Sequence, residues 1–154
     1  MTFPWKKVLC PVDFSEPARA AMQAAVAISR QFDSELTLFH SYELPGYTLP
    51  EGSVVASPKM LQDVADQAEA HLVEWRRLAE GMGAAKVATA KGIGEPAVEI
   101  AELAREGEYD LIVVGTHGRT GIRHALLGSV AERVVRRSGC PVLTIHPEGR
   151  RRKV

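Results

Sequence analysis

One pattern constrains this chain more than any other. Short apolar runs rich in β-branched residues, at Val8 to Val12, Leu36 to Phe39, Val87 to Ala90, Leu111 to Val114 and Val142 to Ile145, alternate with stretches of helical spacing. Each run has the length of a strand. After the first run, Ala18, Ala21, Met22, Ala25, Ile28 and Phe32 recur at three and four residues, as one buried helix face does. Leu61, Val64, Ala68, Leu72, Trp75, Leu78 and Met82 repeat the spacing after the second run. Shorter versions pass through Ala97, Ile100, Ala101 and Ala104, then through Val130, Val134 and Val135. Gly81, Gly83, Gly107 and Gly139 supply the stop signals.

Five strands joined by four helical crossovers predict an α/β fold, a doubly wound, mainly parallel five-stranded sheet with helices on both faces. VLCPV and LIVV are apolar without alternation, as strands covered on both faces are. KVATAK alternates and carries charge at both ends, which predicts the third strand at an edge. A chain of 154 residues fits one domain, expected over residues 1–148, with residues 149–154 as a basic tail. Within that tail Arg150, Arg151, Arg152 and Lys153 read as a solvated, frayed end. The one long irregular stretch, Glu43 to Pro58, reads as a lid, a contact surface or a mobile loop. Nineteen basic and nineteen acidic side chains cancel, so net charge gives no reason to expect nucleic acid or an anionic membrane as partner. No apolar stretch in MTFPWKKVLCPVD has signal-peptide length and no run approaches a membrane span, so the expected compartment is the cytoplasm.

Ligands of doubly wound sheets bind outside the carboxyl ends of the strands, where neighbouring strands send their crossovers to opposite faces. Asp13, Ser41 and Gly115 stand just after strand ends, and Gly115 opens the segment GTHGRTGIRHALLGSV. Gly115 and Gly118 let backbone approach a ligand closely and permit positive φ. Gly128, Ser129 and Val130 offer amide hydrogens at a helix N-terminus, whose dipole favours an anion. His117, Arg119, Arg123 and His124 add cationic groups in between. A second reading stands beside this one. The glycines then serve turns, Ser129-Val130-Ala131-Glu132 is a capping box, and Asp13 or Ser15 caps the first helix. Neither GxGxxG nor a glycine-rich loop ending in GK[ST] is present, which removes the dinucleotide fingerprint and the Walker lysine.

His40, His71, His117, His124 and His146 lack ligand spacing, so no metal site is expected. Cys10 and Cys140 form no CxxC pair and read as small core hydrophobes, with no disulfide scaffold. Trp75 and Leu78 read as core.

The spacing Gly115, two residues, Gly118, nine residues, Gly128-Ser129 resembles the nucleotide-binding signature of the universal stress protein family, in its ATP-binding branch. KKVLCPVDFSEPARAA is similar to the family's first strand and helix, GEPAVEI to the start of its third helix, and GTHGRTGIRHALLGSVAERVVRRSGCPVLTIH to its C-terminal block. The resemblance runs from about Lys6 to His146 and is weakest from Tyr42 to Lys59. It implies a single-domain, Rossmann-like protein with strand order 3-2-1-4-5 that binds ATP, with AMP or ADP as alternatives and Mg2+ accompanying the phosphates. By position, Pro11, Val12 and Asp13 match the adenosine side, with the Asp13 carboxylate on the ribose hydroxyls. Ser41 falls where the family often has an aliphatic residue against adenine, a departure that leaves its backbone to meet the base. Gly115, Thr116, Gly118 and Arg119 match the ribose and phosphate loop, and Gly128, Ser129 and Val130 the phosphate-binding helix start. A homodimer along the last strand, Val142 to His146, is implied as well, and an exposed edge strand is itself a reason for self-association. The resulting expectation is a nucleotide-dependent regulatory protein with slow chemistry at most. A weak Mg-dependent ATPase and a nucleotide-free scaffold acting through protein partners are the alternatives.

Overall fold

The computed structural model describes residues 4–44, 47–49, 52–54, 56–117 and 127–147. In chain order the elements are β1 (Lys7–Pro11), α1 (Glu16–Phe32), β2 (Glu35–Tyr42), β3 (Tyr47–Leu49), β4 (Gly52–Val54), α2 (Pro58–Gly81), β5 (Val87–Ile93), α3 (Pro96–Glu106), β6 (Leu111–Gly115), α4 (Ser129–Arg137) and β7 (Val142–Ile145). The main sheet runs β5-β2-β1-β6-β7, and every pairing in it is parallel. Counted along the chain, that is the order 3-2-1-4-5. β5 lies at one edge and β7 at the other. β3 and β4 form a small antiparallel hairpin inside the stretch whose sequence predicts only an irregular connection.

Local chemistry explains where the helices begin. Ser15 caps α1 by accepting from the Ala18 amide at 3.3 Å, with Pro17 in the first turn. Ser57 caps α2 in the same way through the Met60 amide at 3.2 Å. α1 ends at Asp33, which takes the left-handed conformation at φ 51°.

The helices form two layers, and successive residues of β1 feed opposite ones. Val8 and Cys10 pack with Met22, Ala25, Leu72 and Trp75 of α1 and α2. Leu9 joins Ile112 and Val114 under Ile100, Ala104, Ala131 and Val134 of α3 and α4. Burial on both faces is why these strands read as unbroken apolar runs. Each fully buried Leu or Ile side chain, such as Leu9, Leu36 and Ile112, contributes roughly 1.5–3 kcal/mol of transfer free energy. The same burial pushes the Cys10 thiol up to about 12. Cys140 is half-buried against the α3–α4 layer, and its thiol is raised first by that burial and then by the nearby Asp110 carboxylate. α1 leaves β1 over one face and α4 leaves β6 over the other, which opens a crevice at the carboxyl ends of these two adjacent strands.

Candidate functional site

A cavity of about 470 Å³ fills that crevice. Val12, Phe39, Ile100, Val114 and Leu127 give it apolar walls, and Asp13, His40, Ser41, His117, Ser129 and Glu132 its polar ones. This size and mixture, mostly apolar with a few convergent polar groups, is that of a small-molecule site.

The β1 end is tightly held. The Val12 amide donates to the Phe39 carbonyl at 2.8 Å, and the Val12 carbonyl accepts from His40 Nδ1 at 2.8 Å. Because a carbonyl only accepts, the His40 ring carries its proton on Nδ1. Asp13 Oδ1 accepts from both the amide of Ser15, at 3.1 Å, and its hydroxyl. Ser15, then, is the helix cap, and Asp13 braces the cap from the cavity wall. Between them Phe14 adopts φ 63°, in the left-handed region that non-glycine residues rarely occupy. Its ring lies 4.6 Å from that of His40, 4.9 Å from His71 and 5.5 Å from Trp75, so packing against β2 and α2 offsets the backbone strain.

On the β2 side the Ser41 hydroxyl donates to the Gly94 carbonyl at 2.9 Å, which ties the strand end to the residue that follows β5. Glu95 caps α3 through the Ala97 and Val98 amides, at 3.3 and 3.2 Å, and receives Arg133 of α4 at 3.0 Å. This bridge ties the start of α3, whose Pro96 and Ile100 line the cavity, to the middle of α4.

The two glycines of the signature that the structure describes are required by backbone packing inside the protein. A Cβ on Gly115 would lie 2.7 Å from the Pro17 carbonyl oxygen of α1. One on Gly128 would lie 2.6 Å from the Thr116 carbonyl oxygen, the atom that accepts the Gly128 amide. Neither glycine is among those with positive φ. α4 begins at Ser129 with Gly128 in the cap position, and no side chain caps it. The capping-box reading of Ser129 therefore gives way. The contact of Gly128 with Thr116 moves the cap one residue earlier, and the Ser129 side chain is exposed at the cavity. The intrahelical ladder starts with the Glu132 amide on the Gly128 carbonyl, at 2.9 Å, so the amides of Ser129, Val130 and Ala131 precede it.

Ten of the site residues singled out from sequence thus stand around one cavity, namely Pro11, Val12, Asp13, Ser41, Gly115, Thr116, His117, Gly128, Ser129 and Val130. Gly118 and Arg119, together with Arg123 and His124, lie outside the described residues. Sequence reasoning missed Phe39, His40, Pro96, Ile100 and Glu132. Phe39 and His40 immediately precede Ser41 at the end of β2, so strand-end position was the available signal. Among the described residues no Lys or Arg lines the cavity, and no group of three His, Cys, Asp or Glu side chains could hold a metal ion. Among them also, no helix is long and apolar enough to cross a membrane.

The sequence profile of the universal stress protein family matches residues 4–146. The chain belongs to the universal stress protein family. A universal stress protein of Methanocaldococcus jannaschii is 38% identical to it over 92% of this chain and 82% of its own length. Universal stress protein UspA from Lactobacillus plantarum superposes with a TM-score of 0.79 at 27% identity, covering 94% of this chain and 99% of that one. A universal stress protein solved in complex with cAMP superposes with a TM-score of 0.67 at 28% identity, over 94% of this chain and 98% of that chain.

Proposed function

We infer that the crevice binds an adenine nucleotide, ATP foremost with AMP or ADP as its shorter relatives, and that occupancy sets the protein's dimeric or partner-binding state. The observation that carries this reading is the pairing, in one cavity, of an apolar slot with a helix N-terminus that no side chain caps. The slot between Val12, Phe39 and Ile100 suits a flat base. The amides of Ser129 and Val130, beside Gly128, suit phosphate oxygens, because N–H groups that precede the intrahelical ladder and the helix dipole both favour an anion. Asp13 suits the ribose, whose hydroxyls can donate to a carboxylate; a phosphate beside it would be repelled unless a cation intervened. Mg2+ would ride on the phosphates. Gly118 and Arg119 complete the phosphate loop by their match to the family signature. The solved relative with cAMP supports an adenine ligand for this fold.

Turnover is slow at most. Asp13, the carboxylate assigned to the ribose, is engaged by Ser15, and the sequence carries no Walker lysine to neutralise a transferring phosphoryl group. Self-association would use β7, an edge strand that presents Leu143 to solvent.

Calorimetric titration of nucleotide-stripped protein with ATP, AMP and adenosine, with and without Mg2+, tests the reading. Micromolar ATP binding, about −8 kcal/mol, is expected, with Asp13→Ala weakening all three ligands. A folded wild type that binds none of them overturns it. Steady phosphate release that disappears in Asp13→Ala would replace the regulatory reading with a weak ATPase.

A further inference from the structure

We propose that Thr116 is a positioning residue, whose hydroxyl anchors the phosphate end of the crevice to the edge strand β7 without itself touching ligand. The proposal rests on the nucleotide reading above.

Thr116 is fully buried. Its amide and its hydroxyl both point at the Ile145 carbonyl, at 3.0 and 3.3 Å. The same hydroxyl lies 3.0 Å from His146 Nδ1 and 3.2 Å from His117 Nδ1. A hydroxyl has one proton to give and two lone pairs to offer. The arrangement that satisfies all three contacts gives the proton to the Ile145 carbonyl, which can only accept, and lets the lone pairs receive Nδ1–H from both histidines in that tautomer. That arrangement uses the hydroxyl's whole capacity and holds Thr116 in a single orientation.

What Thr116 holds in turn is the start of α4. Its carbonyl accepts the Gly128 amide, and the approach is so close that a Cβ on Gly128 would lie 2.6 Å from that oxygen. No side-chain cap sets the position of this helix end instead. The chain of contacts therefore runs from β7 through the Thr116 hydroxyl and carbonyl to Gly128, and so to the amides that face a phosphate. Binding groups must be held within roughly 0.5 Å of their productive geometry, so loosening the anchor costs phosphate affinity. The adenosine end is built on Val12, Phe39 and Ile100, from β1, β2 and α3, and does not depend on this hydroxyl.

The test compares ATP and adenosine affinities in wild type, Thr116→Val and Thr116→Ser, each checked for a wild-type far-UV spectrum. Thr116→Val removes the hydroxyl at nearly constant shape; it should weaken ATP roughly three- to tenfold while adenosine stays within about twofold, and Thr116→Ser should restore ATP binding. Should Thr116→Val fail to fold, His146→Ala, which removes one partner of the hydroxyl from an exposed position, should show a smaller split in the same direction. Unchanged ATP affinity, or an equal loss for both ligands, overturns the proposal while leaving the nucleotide site standing. A wild type that binds neither ligand refutes the nucleotide reading itself.

Discussion

Gly128→Ala places one methyl group where the fold has no room for it. The new Cβ would sit 2.6 Å from the Thr116 carbonyl oxygen, and ordinary contact begins at 3.4 Å. The obstacle is backbone, so no rotamer change relieves it. The start of α4 has to retreat by about 0.8 Å, which lengthens the bond from the Gly128 amide to that same carbonyl. Strain of this kind together with one weakened hydrogen bond costs about 1–3 kcal/mol of stability. At roughly 2–4 °C per kcal/mol for a chain of this size, the melting temperature should fall by about 2–12 °C. The amides of Ser129 and Val130 move with the helix, so ATP affinity should drop by about tenfold or more, while adenosine, seated at the other end, changes little. Thermal unfolding and calorimetric titration of the same preparation read both numbers. A Gly128→Ala protein that melts with wild type and binds ATP as wild type does would refute the claim that Gly128 is fixed by its contact with Thr116.

Three further outcomes follow from other parts of the molecule. Burial raises the Cys10 thiol from 9.0 to about 12, so the folded protein keeps a proton that the unfolded chain releases. Stability from this group is complete below pH 9 and is lost as pH rises from 9 towards 12, with a slope approaching about 1.4 kcal/mol per pH unit; denaturant titrations should show a shallower alkaline loss in Cys10→Ala. At pH 8 a thiol reagent should label Cys140 first in the native protein and both cysteines in denaturant. For the proposed dimer, Leu143→Lys puts a charge on the exposed β7 edge, and sedimentation should then report a monomer with an unchanged far-UV spectrum. A dimer of wild-type affinity in that variant would move the interface elsewhere.

The sheet was legible because its central strands are buried on both faces, and a run such as LIVV admits few other readings. β5 extends to Ile93, past the expected end at Ala90, because Lys91 and Gly92 break the apolar pattern yet pair with His40 and Ser41 of β2. Strands of three residues, as in the β3–β4 hairpin, are too short to show a period, and prolines flank them in sequence. At the site, the strand-end rule picked out Asp13, Ser41 and Gly115. What it could not reveal is which partner each residue answers to. Gly115 is a glycine because of Pro17, nearly a hundred residues away in the chain, and Gly128 because of Thr116, twelve residues earlier. Ser129 followed by Glu132 satisfies the capping-box pattern perfectly well until that second contact shifts the helix start. Phe14 at positive φ carries no local signature at all, since its aromatic partners come from β2 and α2.

The cavity walls have one more consequence. They are drawn from the ends of β1 and β2, the first turn of α3, the end of β6 and the start of α4, five stretches that lie close only in the folded chain. A molecule seated there is a reversible cross-link between them, and the open chain cannot compete for it. At a hundredfold excess over its dissociation constant such a ligand deepens the folded well by about 2.7 kcal/mol, enough to lower the unfolded population about a hundredfold. Proteases act on that population, so if the proposed nucleotide is that ligand, the protein's survival would gauge nucleotide supply.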